Sequence, residues 1–363
     1  MKIAFAFILA LLWPIAAAAQ AEVPRSWDDV LAAAKKEGKV VVLGPASTEL
    51  RQAMPVAFKA RYGITMEYLG GRTGDQIAKL RAERQAGIYS ADAVLSGIDS
   101  FSGVFYPEKL IDPLRPMLML PEVLDGSKWK KGKLWFSDPE DQYVLRLANN
   151  VSNMFHINTS QVKLNELRSA QDLLNPKWKG RIALEDPTVT GSGSNHAAHF
   201  YIQLGGDFIK KLYIDQKPMI SRDKRALMDG LIRGTYPITL GADDQDVVKM
   251  RKEGMPLELL QGFSDLDIET SGGSGLLGII SNAPHPNAAK VFVNWIASKE
   301  GSEVYVRARG AVPTRNDIDE SFLPPEVIPR EGVKYFDHQD WNYTVTKKEE
   351  ARQQVNKIFQ EAR

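Results

Sequence analysis

Strands and helices alternate along the first part of the chain, and small residues follow each strand. Residues 39–43, 64–69 and 93–95 are short apolar runs typical of buried strands. Helical spacing of apolar residues fills the intervals at 50–62 and 75–85. This βαβ pattern predicts an open α/β sheet, in which ligands bind beyond the carboxyl ends of the strands.

The same alternation resumes in the second half of the chain. Residues 181–184 and 237–240 read as strands, with a helix at 195–204 between them, and residues 276–281 form a late apolar strand. The polar segment from Lys347 predicts an amphipathic terminal helix. A length of 363 residues suits roughly two domains.

The N-terminus has the organisation of a secretory signal peptide. Lys2 precedes an apolar stretch that runs from Ile3 to Ala19, and Ala19–Ala21 fits a cleavage site that would leave Glu22 as the first mature residue. A membrane anchor is the alternative, but the stretch is short for a span of about 20 residues and contains Pro14. We therefore expect residues 1–21 to be removed on export.

The net charge and the cysteine content limit which partners and which location this protein can have. The net charge of +1 provides no field that would attract nucleic acid or acidic lipid. The chain has no cysteine, so neither disulfides nor a lipid-modified cysteine can occur. The sequence predicts a monomer that is free in the periplasm of a Gram-negative host or else fully secreted. It is expected to bind no nucleic acid and not to be anchored in the membrane.

Four loops that follow strands carry the polar residues suited to a ligand. Helix N-termini with glycines bind anions through unpaired backbone N–H groups, and an arginine adds a bidentate contact to a carboxylate or phosphate. The predicted ligand-binding residues are Ser47, Thr48, Arg72, Thr73, Ser96, Thr190, Gly191, Ser192, Gly193 and Asp243.

Each of these loops also has a purely structural interpretation. Ser47 and Thr48 are suited to cap a helix, as is the acidic cluster around Asp243. Arg72 is equally compatible with a solvated position between glycines. The run 188–194 favours a ligand more strongly, because a series of small residues costs backbone entropy.

Catalytic motifs do not assemble in this sequence. Residues 273–278 match G-x-G-x-x-G, but a polar segment precedes them and an apolar strand follows, which is the wrong context for dinucleotide binding. His196 and His199 share a helix face, yet spacing shows no third metal ligand. We therefore expect a binding protein with no catalytic residues, metal or cofactor.

Three segments, 27–44, 67–87 and above all 283–301, resemble the family 1 extracellular solute-binding proteins, closest to the branch of ferric-iron and phosphorylated-sugar receptors. The resemblance implies the type 2 periplasmic-binding-protein fold, an α/β architecture of two lobes. Each lobe is an open mixed sheet flanked by helices, two crossing strands form the hinge, and the ligand lies between the lobes. It also implies an ABC permease with its ATPase as partner.

The resemblance implies a particular division of the chain. The two strands that cross between the lobes are expected near residues 153–158 and 275–281. The first lobe then comprises residues 22–158 and 274–363, and the second comprises 159–273.

The ligand class is inferred by comparing this chain with the ferric-iron members of the family. The ferric-iron members carry two adjacent tyrosines where this chain has Gly241–Asp244, whereas their anion loop matches Thr190–Gly193. This favours a small organic anion, bearing a carboxylate or phosphate, that Arg72 and the 190–193 loop grip from opposite lobes. The alternatives are a ferric-iron receptor using Asp243 and Asp244, a sensor-domain partner and, more remotely, a secreted enzyme.

Overall fold

The computed structural model describes residues 26–152, 155–189, 191–260 and 262–362. The predicted signal peptide, residues 1–21, and Thr190 lie outside these described residues. The strands are β1 (Lys39–Pro45), β2 (Thr65–Gly71), β3 (Ala93–Ser96), β4 (Ile111–Asp112), β5 (Leu145–Arg146), β6 (Asn150–Ser152), β7 (Phe155–Asn158), β8 (Ile182–Glu185), β9 (Met219–Ser221), β10 (Ile238–Leu240), β11 (Leu257–Leu260), β12 (Glu269–Ser271), β13 (Leu276–Ile280) and β14 (Phe336–Asp337).

The helices connect these strands and cover the sheets. They are α1 (Trp27–Glu37), α2 (Thr48–Tyr62), α3 (Thr73–Gln85), α4 (Ile98–Ser100), α5 (Pro121–Leu124), α6 (Ser192–Lys210), α7 (Lys224–Ile232), α8 (Asp244–Lys252), α9 (Pro286–Ala297), α10 (Lys299–Arg309), α11 (Trp341–Val345) and α12 (Lys347–Glu361).

The first lobe is built on a mixed sheet in the order β2-β1-β3-β13-β4, with β5 also paired to β13. β1 is parallel to β2 and β3, and β13 is antiparallel to β3. Val40 and Val42 pack on one face with α1, α2, α9 and α10, whereas Val41 and Leu43 pack on the other face with α3. Because strand side chains alternate between faces, an unbroken apolar run predicts a strand covered on both sides.

The second lobe has its own sheet, in the order β11-β7-β10-β8-β9. β10 runs parallel to β8 and antiparallel to β7. A separate core forms around Phe155, Ile182, Phe200 and Leu240, all of which are buried. Two sheets with separate cores give the chain two lobes.

A third, three-stranded sheet lies where the chain passes between the lobes. β12 is its central strand, antiparallel to β6 and parallel to β14, and we call these three strands the hinge sheet. The segments expected to form the crossings, 153–158 and 275–281, contain β7 and β13, which belong to the two lobe sheets. The strands that pair between the lobes are instead β6 and β12, the short polar strands that directly precede β7 and β13.

The C-terminal segment departs from the expected division of the chain. α11 packs against α4 of the first lobe, but α12 packs against α6 of the second lobe. Val355, Ile358 and Phe359 of α12 join the second-lobe core. The assignment of all residues 274–363 to the first lobe is therefore wrong for α12, because its apolar face is buried by the second lobe.

A buried arginine ties the hinge sheet to the first lobe. The side chain of Arg146 at the end of β5 is 1% exposed, and its Nη1 donates to Asp337 Oδ1 at 2.8 Å. Its Nη2 donates to the backbone carbonyl of Gln339 at 2.9 Å, and its guanidinium lies 4.1 Å from the ring centre of Trp135. Arg146 therefore holds the segment after β14 against β5.

Candidate functional site

A cavity with a volume of about 610 Å³ lies between the two lobes. The hinge sheet contributes Asn150 and Ser152 to its wall. The second lobe contributes Ser192, His196, Lys224, residues 241–245 and part of α8, and the first lobe contributes Arg309, Gly310 and residues 322–324 and 327. A cavity bounded by both lobes and the hinge is the position expected for a ligand whose binding is coupled to closure.

The N-terminus of α6 forms part of the second-lobe wall. Its N-cap residue, Gly191, has no side chain that could cap the first turn, although the Gly191 N–H donates to the Ser194 hydroxyl at 3.2 Å. Ser192 donates its hydroxyl to Glu185 Oε2 at 2.6 Å. A Cβ on Gly193 would lie 2.5 Å from the carbonyl oxygen of Asp186, so only glycine lets the helix begin this close to β8. The small residues of this loop are thus required by packing as well as suited to an anion.

The loop after β10 completes the second-lobe wall. Asp243 caps α8 by accepting a hydrogen bond from the backbone N–H of Gln245 at 2.9 Å. Asp244 Oδ1 lies 2.6 Å from His156 Nε2, and His156 is buried. The Gln245 amide donates to the carbonyl of Arg309 at 2.6 Å, which makes a direct contact across the cavity between the lobes.

Arg309, at the end of α10, provides the cation of the first-lobe wall. Burial raises the pKa of Tyr305 to about 12, and the nearby Arg309 guanidinium opposes this rise. The pKa of the Glu49 carboxyl is lowered by a backbone hydrogen bond, the Ser47 hydroxyl and the charge of Arg309. The charge of Arg309 therefore reaches the N-terminal end of α2, which packs against α10.

The cavity wall carries charges of both signs. Its cations are Lys224, Lys249, Lys252 and Arg309, and its carboxylates are Asp243, Asp244 and Glu253. Cations attract an anionic group, and carboxylates accept hydrogen bonds from hydroxyl groups. This wall is suited to a small molecule that carries both.

The predicted ligand-binding residues fall into separate groups. Ser192 and Asp243 line the cavity, and Gly191 and Gly193 flank Ser192. Ser47 caps α2 and hydrogen-bonds Glu49, as its structural interpretation anticipated, while Thr48 is exposed.

The remaining candidates lie elsewhere at the strand ends of the first lobe. The hydroxyls of Thr73 and Ser96 lie 3.4 Å apart. Arg72 is exposed, is the N-cap residue of α3 and does not line the cavity.

Sequence reasoning missed the cavity's lysines, His196 as a cavity residue and Arg309. Lys224 lies on α7, Lys249 and Lys252 lie on α8, and Arg309 lies on α10, whereas the strand-end rule points to loops that follow strands. In sequence the lysines are ordinary solvated helix residues, and no spacing links them to residue 309.

Neither a metal site nor a membrane-spanning helix is found among the described residues. No cluster of three or more histidine, cysteine, aspartate or glutamate side chains there has a geometry that could hold a metal ion. In the same part of the chain, no helix is both long and apolar enough to span a bilayer.

A family model for bacterial extracellular solute-binding proteins matches residues 53–329, which is most of the chain. The chain belongs to this family. This solute-binding protein is also 25% identical over 299 residues to a protein of Haemophilus influenzae, covering 76% of the chain and 77% of that protein. The family membership confirms the resemblance inferred from sequence, and the family consists of binding proteins.

Solved structures confirm the predicted two-lobed fold. The periplasmic binding protein P5PA matches with a TM-score of 0.62 at 20% identity, covering 90% of this chain and 100% of that one. The fructose-6-phosphate-bound protein AfuA of Actinobacillus pleuropneumoniae has a TM-score of 0.62 at 21% identity, with coverages of 88% and 97%. The apo ferric ion-binding protein A of Pasteurella haemolytica has a TM-score of 0.67 at 15% identity, with coverages of 89% and 98%.

Proposed function

We propose that this solute-binding protein is the periplasmic receptor of an ABC importer and captures a small organic anion between its lobes. The observation that carries the proposal is that Arg309 on the first lobe and Ser192, in the first turn of α6 on the second lobe, line the same cavity. A guanidinium and helix N–H groups facing one cavity are complementary to a carboxylate or phosphate.

The carboxylates of the cavity refine the ligand class. Asp243, Asp244 and Glu253 would repel a bare polyanion but can accept hydrogen bonds from hydroxyl groups. We therefore favour a hydroxylated anion, such as a sugar phosphate or hydroxy acid, over inorganic phosphate. Fructose 6-phosphate, the ligand named for the AfuA structure, is therefore a suitable first probe.

A thermal-shift screen tests the ligand class directly. Fructose 6-phosphate, glucose, citrate, inorganic phosphate and ferric citrate are compared at equal concentration. A ligand at about 100 times its dissociation constant stabilises the folded protein by about 2.7 kcal/mol. Stabilisation by fructose 6-phosphate or citrate but not by glucose supports an organic anion, and stabilisation by ferric citrate alone contradicts it.

Ferric ion is the alternative ligand, since several proteins of this fold are named for iron. We expect the purified protein to remain colourless when ferric salts are added. The loop 241–244 carries no tyrosine, and Tyr236 lies before β10 instead of after it, so phenolate ligation is not expected at this loop. Absorption spectra during a ferric titration check this, and a strong visible charge-transfer band would contradict it.

We further propose that export removes residues 1–21 and releases a monomer that begins near Glu22 and delivers its solute to a membrane permease. Intact-mass measurement of periplasmic extract should give a mass that starts at or near Glu22. Recovery of a chain retaining Met1 from the membrane fraction would contradict cleavage.

A further inference from the structure

Three histidines surround one buried glutamate in the hinge sheet. Glu269 is the first residue of β12, and its side chain is 2% exposed. The Nδ1 atoms of His196, His199 and His338 lie 3.2, 3.3 and 3.5 Å from its carboxylate oxygens. We call these four residues the hinge cluster.

The hinge cluster brings together residues of the second lobe and a residue from a segment that is attached to the first lobe. His196 and His199 lie on α6 of the second lobe. His338 follows β14 and precedes α11, which packs against the first lobe. A change in the interactions of Glu269 therefore acts where the two lobes meet.

Hydrogen bonding within the cluster is incomplete. His199 Nε2 lies 3.1 Å from the carbonyl oxygen of Asp267, which can only accept, so Nε2 carries a hydrogen. In the neutral imidazole, Nδ1 is then a lone pair that faces Glu269 Oε1. Among the described residues, His199 Nδ1, both ring nitrogens of His338 and Glu269 Oε1 have no hydrogen-bond partner.

The other charged groups around the cluster balance one another. Lys348 forms an ion pair with Asp99, which lies 3.4 Å from the Asn195 amide. Burial would raise the pKa of Asp99, but Lys348, His338 and the Asn195 amide together outweigh this and the pKa is lowered.

Tyr343 and Arg352 complete the surroundings. Burial raises the pKa of Tyr343, so this phenol stays neutral, and Arg352 pairs with Glu349. The charge of the hinge cluster is therefore set by Glu269 and the three histidines.

The directions of the pKa shifts agree with this geometry. Burial alone would raise the pKa of Glu269, yet the histidines hold it well below its usual value, so it remains a carboxylate at neutral pH. Burial lowers the pKa of His199 below its ordinary 6.5, and the neighbouring His338 and His196 lower it further, although Glu269 opposes them.

We propose that the hinge cluster is an acid-sensitive release that loosens α6 from the hinge sheet when its histidines are protonated. One carboxylate can balance one imidazolium, and each further proton leaves uncompensated positive charge in a buried site. Because His196 also lines the cavity, release of α6 would lower solute affinity, a consequence that rests on the proposed function.

Proton linkage gives the direction in which pH changes the stability of the compact arrangement. An exposed His199 has an ordinary pKa, whereas the buried one has a lowered pKa, so the loosened arrangement binds more protons below pH 6.5. The compact arrangement is thus favoured above that value and loses stability as the pH falls through the lowered pKa.

Distance measurement between the lobes tests the proposal without a ligand. The chain has no native cysteine, so the exposed Lys59→Cys and Arg225→Cys place one spin label on each lobe. Double electron–electron resonance is recorded from about pH 8 to about pH 5. We expect the distance distribution to broaden reversibly at acid pH, with a midpoint below 6.5.

Matched variants assign the response to the cluster. His199→Gln with His338→Gln should hold the neutral-pH distribution throughout, whereas His285→Gln, which alters the remote His285–Asp92 pair, should respond like the wild type. If circular dichroism shows that the double variant is unfolded, His338→Gln alone should shift the midpoint or reduce the broadening. An unchanging wild-type distribution, or equal broadening in the cluster variants, would overturn the proposal.

Fructose 6-phosphate titrations at both ends of this pH range separate the two proposals. Weaker binding at acid pH in the wild type, but not in the double variant, would support coupled release. Binding unaffected by pH despite a change in distance would refute that coupling. A pH-dependent distance without binding of this probe at either pH would support the hinge proposal and count against the proposed ligand class.

Discussion

Replacement of Arg309 by Ala is expected to weaken solute binding by roughly 10- to 100-fold, because a hydrogen bond to a charged group contributes about 1.5–3 kcal/mol and each 1.4 kcal/mol is about tenfold in affinity. Arg309 is the first-lobe cation of the cavity and lies at the end of α10, the helix that packs against α2. Calorimetric titration with the strongest probe from the thermal-shift screen measures the effect.

Lys299 provides a control on the same helix. It is the first residue of α10, is exposed and does not line the cavity. Lys299→Ala also removes one positive charge from α10, so it should leave affinity nearly unchanged. Equal losses in the two variants would show that net charge, and not a contact from Arg309, controls binding.

Arg72→Ala is measured by the same calorimetric titration. The sequence predicts that Arg72 also grips the anion, with a similar loss on substitution, and its place at the start of α3 puts it among the strand-end loops. Unaltered affinity would remove Arg72 from the site and leave Arg309 as the first-lobe contact.

Replacement of Arg146 by Ala is expected to lower the free energy of unfolding by about 3–5 kcal/mol, the range for breaking a buried ion pair. The change removes the hydrogen bonds to Asp337 and to the carbonyl of Gln339, together with the stacking on Trp135. Urea denaturation followed by circular dichroism gives the value.

Arg222 offers the corresponding surface control. Its side chain is 68% exposed and pairs with Asp186 at 2.8 Å. Arg222→Ala should cost at most about 1 kcal/mol, because solvent screens an exposed pair. A loss in the Arg146 variant no larger than this would mean that the segment after β14 is held by other contacts.

The lobe sheets could be predicted from sequence because their strands are buried on both faces. β1 and β13 are continuous apolar runs, and Gly38, the C-cap residue of α1 with a φ of 78°, precedes β1 directly. The hinge sheet could not be predicted in the same way. β6 and β12 are three residues each and include polar side chains, so neither length nor periodicity distinguishes them from loops.

The cavity was predictable only in part, for a related reason. Ser192 and Asp243 follow strands, and the rule that ligands bind at strand ends finds them. Arg309 reaches the cavity because α10 packs against α2, and His338 reaches Glu269 because β14 pairs with β12. Both positions depend on tertiary contacts between residues distant in sequence, which no local pattern encodes.

The attachment of α12 to the second lobe gives the molecule a practical property. α1 packs on α9 of the first lobe, so the helices at the two ends of the described chain belong to opposite lobes. Closure of the lobes on a ligand, the motion expected for this fold, would therefore change their separation. A donor fluorophore on α1 and an acceptor on α12 would convert this motion into energy transfer, so the folded chain could serve as an optical sensor for its own solute.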